Sequence, residues 1–484
     1  MSKFEFINSL SKLDFFITKE GISFIDTFSP ESLRKFLFYF QNLKKFSPLS
    51  KKIFTSDDLK RIFQEQFLEE RTDQEFTTTL SKQERAVSYL GDPFSETVSE
   101  AIPSFRTLLF ERYSFYFKFF KQNLGLEIEF KEILNLNQTE NKVYLVVRVL
   151  ECEKKTINNK TYLKLALEDM SGMITAYFFL SGLDKEPKIM KDEIICVVGN
   201  VEQGKLKKLY IKQLFFPGDF LKKEEFKDYK DFKIGIISDT HFGSKNFLQE
   251  GWNKFCSWIK ENYLSLKIKY LIICGDLVEG VGMYPNQKQG LGLKDLVKQY
   301  FFFSEELKKI PKDIQKIFIP GNHDAVRLVE PQPIIQSSFR KYFASDSIFF
   351  NNPAIIDIEG YKIGVYHGKA FDEIVEYFPD FSRKKPVEMM KFMLEKLHFC
   401  PFLGGRNHTF PSKKDPLIIR IVPDFLITGH VHTFGYEKYK GVHLVNASTW
   451  QGQTPYQKRF NFEPICSVFT LVDLKNNQVE IKFF

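Results

Sequence analysis

The sequence predicts a multi-domain α/β protein, because three residue patterns follow one another along its 484 residues. Apolar residues at helical spacing come first, short β-type runs follow, and the second half alternates apolar strands with helical stretches. A chain of this length favours two to four domains over one. We therefore expect a helical N-terminal module, a small β-barrel and a larger α/β domain, in that order.

Residues 1–70 are predicted to form the helical module. Apolar residues recur three and four positions apart in SLRKFLFYFQNLKKF, and Ser56 is a predicted N-cap before DDLKRIFQEQFLEE. This periodicity is lost over residues 71–100, where Thr, Ser, Gln and acidic residues predict a flexible linker. Residues 101–140 regain it in SFRTLLFERYSFYFKFFKQNL, whose apolar stripe predicts a helix that docks onto the barrel.

Residues 141–218 are predicted to form a five-stranded barrel of the OB type. The five β runs are KVYLVVRVLE, TYLKLALED, MITAYFFL, EIICVVGNVE and KLYIKQLFF, with Asn-, Gly- and Lys-rich turns between them. Such a barrel can offer a groove to nucleic acid, here with Lys205, Lys207 and Lys208, or it can serve only as a packing module. Both interpretations stay open.

The composition restricts the class of protein only loosely. A net charge of +8 permits a polyanionic partner without requiring one. The six cysteines occur singly, without a CxxC pair, which predicts buried free thiols. No apolar run approaches the roughly 18 uncharged residues of a membrane helix, and the first ten residues lack the order of a secretory signal. We expect a cytoplasmic protein without membrane contact.

In residues 230–484, five apolar strands each end in side chains of the types that bind metals. They are KIGIISDTH with Asp239 and His241, YLIICGD with Asp276, KIFIPGNHD with Asn322, His323 and Asp324, KIGVYHG with His367, and FLITGHVH with His430 and His432. Five of the eight histidines lie there, and none precedes residue 241. Because ligands of open α/β sheets bind beyond the carboxyl ends of the strands, we expect these distant loops to converge.

The residue types predict a site for two divalent ions that acts on a phosphoester. Two ions roughly 3.5–4 Å apart can clamp a phosphoryl group. We expect Asp276 to bridge them, with one shell completed by Asp239, His241 and His432 and the other by Asn322, His367 and His430. Mixed nitrogen and oxygen ligands suit Mn, Fe or Zn better than Mg or Ca, and Mn is the ion we expect. His323 is predicted to be the general acid, with Asp324 orienting its ring.

Several further residues have two interpretations. Arg327 would contact a phosphate and Trp450 would stack on a base, although a buried salt link and plain packing explain them almost as well. The segment VEPQP is predicted to be an extended wall of the cleft, because its prolines fix φ. The remaining histidines, His398, His408 and His443, are expected to have surface or packing roles.

The order DxH, GD, GNHD, a single His and GHxH resembles the calcineurin-like metallophosphoesterase superfamily over residues 232–484. That resemblance implies a two-layer β-sandwich flanked by helices. Three longer strings are similar to the small subunit of archaeal DNA polymerase D, namely PGNHDAVRLVEPQP at 320–333, LHFCPFLGGR at 397–406 and NASTWQGQTPYQKRFNFEP at 446–464. One departure is Ala447-Ser448, where that family has Ser-Gly before Thr-Trp.

The polymerase resemblance implies a 3′-to-5′ exonuclease that proofreads for a separate large polymerising subunit. It also implies a heterodimer or higher assembly, a substrate that is a single-stranded or frayed primer 3′ end, and an archaeal, nucleoid-associated setting. The related small subunits of eukaryotic replicative polymerases have lost metal ligands, whereas every ligand position is filled here.

An alternative function is that of a scaffold that stabilises the large subunit and is only weakly active. A third possibility, a free-standing phosphoesterase acting on nucleotides or phosphoproteins, is disfavoured by the long regions before the catalytic domain.

The C-terminal segment VFTLVDLKNNQVEIKFF is predicted to be a β-hairpin with Asn476-Asn477 at the turn. Its last part is superficially similar to a sliding-clamp peptide, but the aromatic residues fall one position early. We therefore expect any contact with a sliding clamp to be indirect.

Overall fold

The computed structural model describes residues 5–7, 16–18, 33, 53–54, 87–90, 104–203, 206–223, 229–459 and 461–484. Residues 1–84 and 85–484 form two compact units. Most of the predicted helical module lies outside the described residues. Within the first unit, strand β1 (Phe16–Ile17) pairs in parallel with β2 (Ile53–Phe54), so this unit is not purely helical. Strand β3 (Val87–Tyr89) is the first element described in the second unit.

Helix α1 (Phe105–Leu124) begins after Ser104, whose side chain accepts a hydrogen bond from the N–H of Thr107. Its buried residues recur every four positions: Leu108, Arg112, Tyr116 and Phe120. The helix contacts two barrel strands, as predicted, but Tyr116 and Phe120 also belong to a core shared with the C-terminal domain. The helix therefore packs between two domains, which its single apolar stripe does not reveal.

Five strands close into the barrel in the order β4-β5-β6-β8-β7. They are β4 (Glu140–Ile157), β5 (Lys160–Glu168), β6 (Met173–Phe179), β7 (Ile194–Gln203) and β8 (Lys207–Phe215). Only the β6–β8 pair of this barrel is parallel. Alternate side chains such as Leu145, Leu165 and Val197 are fully buried in its interior. The predicted OB-type barrel is confirmed, while Lys205 lies outside the described residues.

The C-terminal domain is a sandwich of two six-stranded sheets, ordered β12-β11-β10-β9-β18-β19 and β16-β17-β15-β14-β13-β3. The strands are β9 (Lys233–Ile237), β10 (Ile268–Cys274), β11 (Gln315–Ile319), β12 (Ile348–Phe349), β13 (Ala354–Ile358), β14 (Tyr361–Val365), β15 (Phe425–Thr428), β16 (Phe434–Tyr439), β17 (Val442–Ala447), β18 (Val468–Asp473) and β19 (Gln478–Phe483). Ile236, Ile272 and Ile356 lie in the core that both sheets share. The predicted two-layer sandwich is confirmed.

The C-terminal domain also contains helices, and four of them pack on its sheets. The helices of this domain are α2 (Gln249–Asn262), α3 (Leu296–Leu307), α4 (Ser337–Arg340), α5 (Ala370–Tyr377), α6 (Pro386–Lys396) and α7 (Pro455–Arg459). Trp252 and Phe303, from α2 and α3, share a core with Phe469 of the first sheet. Residues of α5 and α6 share another core with Leu426 and Leu444 of the second sheet. No helix among the described residues is long and apolar enough to cross a membrane.

Part of the predicted flexible linker is a strand. Strand β3 pairs antiparallel with β13, placing Val87 in the sandwich core and stacking Tyr89 on Phe350. Three residues are too short for a period-two pattern to stand out from a polar surrounding sequence, so this strand was not predicted. The C-terminal hairpin prediction is confirmed, because β18 and β19 pair antiparallel and Asn477 adopts a φ of 52° beside the turn.

The parallel strands position the site. In the first sheet β10 lies between β9 and β11 and is parallel to both. In the second sheet β15 lies between β14 and β17 and is parallel to both. Each is a nearly continuous apolar run, as expected for strands that are buried on both faces. The loops after β9, β10, β11, β14 and β15 carry all of the predicted metal ligands.

Candidate functional site

The predicted ligand side chains are held on unusual backbone conformations. Asp239, His241, Asp276, His430 and His432 have φ values of 49°, 46°, 49°, 70° and 52°. Positive φ is uncommon for residues other than glycine, and such strained residues concentrate at functional sites, where the surrounding structure enforces them. These five residues follow three strands, β9, β10 and β15, and direct their side chains into one space.

Glycines next to these residues leave the room that the convergence needs. A Cβ at Gly321 would lie 2.2 Å from Oδ1 of Asp276, and a Cβ at Gly429 would lie 2.3 Å from Oδ2 of Asp239. Both distances are too short for any side chain, and the clashing atoms belong to predicted ligands. Glycine is therefore required at both positions by the close approach of neighbouring loops.

Asp239, His241 and His432 form the first cluster. One potential ligand atom from each lies within 4.8 Å of the others. Nε2 of His241 and Nε2 of His432 are 3.1 Å apart. Oδ1 of Asp239 lies 3.3 Å from Nε2 of His432, yet this buried oxygen has no hydrogen-bond partner among the described residues. Two ring nitrogens and an unsatisfied carboxylate oxygen thus face a common point.

Asp276, His367 and His430 form the second cluster under the same distance limit. Oδ1 of Asn322 lies 3.1 Å from Nε2 of His367, which adds a fourth side chain. Nδ1 of His367 donates to the backbone oxygen of Cys274 at 2.9 Å. Because this bond occupies the outer nitrogen, the inner Nε2 remains for the cluster. The four residues predicted to bind the second ion, including the bridging Asp276, therefore lie close together.

Asp276 lies between the two clusters. Its Oδ2 is 3.2 Å from Nε2 of His367 and 3.6 Å from Nε2 of His241. Its Oδ1 accepts a hydrogen bond of 2.7 Å from the backbone N–H of His323. One carboxylate oxygen thus borders both clusters, which is the position that the predicted bridging role requires.

The clusters favour ionised carboxylates. Burial opposes ionisation of Asp239, but His367, His241 and His432 outweigh burial and hold the pKa of its carboxyl well below the usual range. The pKa of Asp276 is likewise lowered against burial, chiefly by His367. Burial alone would lower the pKa of His367, but Asp276 and Asp239 raise it to about 9. Negative charge concentrated among buried imidazoles is an environment suited to cations.

Two carboxylates that the sequence analysis missed orient the histidines. Oε2 of Glu279 accepts a 2.9 Å hydrogen bond from Nδ1 of His241, and Oδ2 of Asp372 accepts a 3.0 Å bond from Nε2 of His430. Each carboxylate fixes one ring nitrogen of a histidine and so selects the other as the ligand. Glu279 lies three residues after Asp276 and Asp372 lies five after His367. Glu279 lies in the loop after β10, whereas Asp372 lies in the first turn of helix α5. Their closeness in sequence to a predicted ligand is the one signal that could have found them.

His323 borders the first cluster, but its partner differs from the prediction. Its ring lies 4.8 Å from that of His241, and its Nδ1 donates to the backbone oxygen of Glu279 at 2.7 Å. Asp324 does not orient this ring. Its carboxylate accepts from the Tyr300 hydroxyl and from two backbone N–H groups instead, and burial raises its pKa to about 7. The predicted role of Asp324 is corrected to one of holding the loop.

The two predicted substrate-binding residues have different outcomes. Trp450 is fully buried and its ring meets Trp252 edge-on at 5.3 Å, so the prediction that it stacks on a base is wrong. The pattern in its segment could not show that this tryptophan points into the core. Arg327 is half-buried beside the cleft, where it donates to the backbone oxygen of Pro331 and stacks on Phe410 at 4.2 Å.

The remaining histidines lie away from the clusters. His398 is buried 3.2 Å from Asp415, His443 bonds Tyr436 and Asn477, and His408 is exposed. These positions agree with the predicted packing and surface roles. Ser448, where the resemblance leads us to expect a glycine, has a φ of 64°, and its hydroxyl donates to the backbone oxygen of Ile465. That bond holds a serine in the left-handed conformation.

Comparison with known proteins is consistent with this geometry. Residues 234–436 match the family of the B subunits of DNA polymerases alpha and epsilon. The DNA polymerase II small subunit of Thermoplasma acidophilum is 33% identical over 354 residues, which cover 73% of this chain and 72% of that protein. The chain belongs to the DNA polymerase II small-subunit family. The resemblance to the archaeal polymerase D small subunit is thereby confirmed.

A second relative in this small-subunit family is the protein of Archaeoglobus fulgidus, 40% identical over 314 residues. That match covers 63% of this chain and 63% of the relative, just under two thirds of its length. Among solved structures, a phosphoesterase from E. coli named Yfce is 13% identical and covers 52% of this chain and 98% of its own, with a TM-score of 0.26. A domain of replication protein A from Methanococcus maripaludis is 22% identical and covers 18% and 92%, with a TM-score of 0.16.

Proposed function

We propose that this small subunit carries a two-metal 3′-to-5′ exonuclease that hydrolyses DNA phosphodiesters and proofreads for a large polymerising subunit. The observation that carries the proposal is the position of Asp276 between two ligand clusters built from five strand ends. The direction of hydrolysis and the large-subunit partner are proposed from family membership. The large subunit would bind this chain in a heterodimer or higher assembly and bring a single-stranded or frayed primer end to the site.

The residues present fit a pair of divalent cations. The unsatisfied Oδ1 of Asp239 and the paired ring nitrogens of His241 and His432 would hold one ion. Asn322, His367 and His430 would hold the other, and Asp276 would contact both. The mixture of imidazole, carboxylate and amide ligands is compatible with Mn, Fe or Zn, and Mn is the ion that we propose. Two such ions would polarise the phosphodiester and neutralise charge on its oxygens.

The chain's own groups supply the proton and the orientation. The backbone oxygen of Glu279 holds Nδ1 of His323, which leaves Nε2 as the nitrogen that can donate a proton to the leaving oxygen. Glu279 and Asp372 keep the histidine ligands from rotating. The guanidinium of Arg327 is held flat by Phe410 and Pro331 beside the cleft, within reach of a neighbouring phosphate.

Asp239→Ala and His430→Ala test the proposal, each removing a ligand from a different cluster. We expect both variants to lose Mn-dependent degradation of single-stranded DNA by on the order of a hundredfold or more, because each ion supplies several kcal/mol of charge stabilisation. Loss of end-labelled, mismatched primer would be measured with Mn and with a chelator. His408→Ala, which changes an exposed histidine, is the matched control and should degrade DNA normally.

The same variants separate the exonuclease from the scaffold alternative. Association with the large subunit should survive both substitutions, since neither changes the fold's core. Should the two variants degrade DNA as fast as the unaltered chain, the nuclease site is elsewhere and the scaffold interpretation gains.

Glu279→Gln is expected to weaken Mn binding about 10- to 100-fold while leaving the ligands in place. The neutral amide oxygen accepts the hydrogen bond from His241 more weakly than the carboxylate does, so the ring is held less firmly. Calorimetric titration with Mn would measure the change. Glu305→Gln is the control, because this helical glutamate has a side chain that is 42% exposed and pairs with Lys308, away from both clusters. Equal Mn affinity in the Glu279 variant and this control would exclude an orienting role for Glu279.

A further inference from the structure

A pocket of about 480 Å³ opens beside His323. Its walls include Val281, Met283, Leu296, Val326 and Ile334. His323, Asp324 and Arg327 also line it, so its occupant lies against the group proposed to donate the proton. The pocket is mostly apolar, with polar groups at the end nearest the site.

Two chain segments contribute to the lining of the pocket. Val281 stands between Gly280 and Gly282, whose φ values are 74° and 79°. A Cβ at Gly280 would lie 2.4 Å from the backbone oxygen of His323, so only glycine allows this close approach. The other segment contains Pro333 and Ile334, which continue the proline-rich segment predicted as an extended wall of the cleft.

The pocket leaves apolar side chains exposed to solvent, and a flat, aromatic group bound there would cover them. Val281 is 46% exposed and Ile334 is 37% exposed, although both border a cavity next to buried charges. A nucleobase has apolar faces and is attached through its sugar to a phosphate. Such a group would place its faces on the apolar walls while its phosphate reaches the polar end.

We propose that this pocket binds the unpaired base at the end of a DNA strand, next to the phosphodiester that is cut. The assignment rests on the proposed nuclease function and adds a base-binding subsite to it. A base that is still paired would have to leave its partner to enter, so the pocket favours single-stranded and frayed ends. Apolar walls contact the faces of any base, so the four bases should be accepted similarly.

The test compares two single-stranded oligonucleotides that differ only in whether the terminal residue at the attacked end carries a base. Binding to the full-length chain is measured in chelator, where no hydrolysis occurs. We expect the oligonucleotide with the base to bind about tenfold more tightly than the abasic one, the fold-change typical of stacking one base. Equal binding of the two would overturn the proposal.

Val281→Trp is the test variant, because the indole would fill the pocket from an exposed position. In this variant the ratio of the affinities for the two oligonucleotides should fall from about ten to about one. Val297→Trp changes an equally exposed valine, 45% open to solvent and absent from the pocket's lining, and should keep the preference. Since each ratio is taken within one variant, a general loss of stability cancels. A preference that survives Val281→Trp would place the base elsewhere.

The proposed function fails in a different measurement. Hydrolysis of bis(p-nitrophenyl) phosphate, a phosphodiester without a base, by the unaltered chain with Mn reports on the metal site alone. Base-dependent binding without this hydrolysis would retain the pocket and reject the nuclease. Hydrolysis without base-dependent binding would retain the nuclease and reject the pocket.

Discussion

Asp276→Asn is expected to abolish phosphodiester hydrolysis and to reduce Mn binding at both clusters. One oxygen of this carboxylate lies 3.2 Å from His367 and 3.6 Å from His241, so its charge serves both groups of ligands. An amide keeps the shape but removes the charge. Because each ion contributes several kcal/mol to the transition state, we expect a loss on the order of a thousandfold or more in rate.

The bridging role makes a sharper prediction than loss of activity. Asp276→Asn should lower the Mn content measured by elemental analysis by two equivalents, whereas His432→Ala should lower it by one. Asp346→Asn changes an exposed aspartate and should retain both ions and full activity. If Asp276→Asn loses no more Mn than His432→Ala does, Asp276 serves a single ion and the shared-ligand assignment fails.

The convergence of the predicted ligand residues was predictable from the order of the strands. Apolar runs such as KIGII predict buried strands. Because the loops after parallel strands lie at the same edge of the sheet, the topology brings the polar residues in those loops together. The structure adds the mechanism of that convergence. Asp239 and His241 reach the site by adopting left-handed backbone conformations, and the sequence carries no direct signal for those.

The supporting residues were harder to predict, because they depend on three-dimensional contacts. Glu279 lies in a loop and Asp372 lies in helix α5, and nothing in their spacing distinguishes these carboxylates from solvated ones. Asp324 and Trp450, in contrast, were predicted to act in the site but have other contacts. Both stand beside predicted site residues, yet the first binds backbone N–H groups and the second packs on Trp252. Adjacency in sequence placed them near the site without giving the direction of their side chains.

The barrel was predictable from periodicity, whereas its contacts with the C-terminal domain were not. Strand alternation identified the barrel, whose strands pair in the order of an OB fold. Periodicity predicts that one face of helix α1 is buried, but it does not predict which elements cover that face. In the structure that face carries Arg112, a charged residue that is fully buried. Its partner Asp415 is 303 residues away, a separation that no local pattern can bridge.

Arg112→Ala is expected to destabilise the unit formed by residues 85–484 by about 3–5 kcal/mol. Nε of Arg112 donates to Asp415 at 2.6 Å, and its Nη1 donates to the backbone oxygens of Asp192 and Pro401. Both side chains of the ion pair are fully buried. Burial alone would raise the pKa of Asp415, but Arg112 and then His398 outweigh it and hold that pKa below the usual range. Removing the arginine therefore leaves a buried carboxylate without its main partner. The midpoint of urea unfolding would measure the loss.

Two further variants identify the cause of that loss. Arg420→Ala removes a pair with Glu111 of the same helix, but those side chains are 33% and 22% exposed, so we expect a loss of about 1 kcal/mol or less. Arg112→Met combined with Asp415→Leu should recover much of the stability that Arg112→Ala loses, because no buried charge is left unpaired. A double variant as unstable as Arg112→Ala would instead show that the arginine's bonds to Asp192 and Pro401 hold the barrel against the sandwich. In that case the backbone contacts, rather than the ion pair, join the two domains through helix α1.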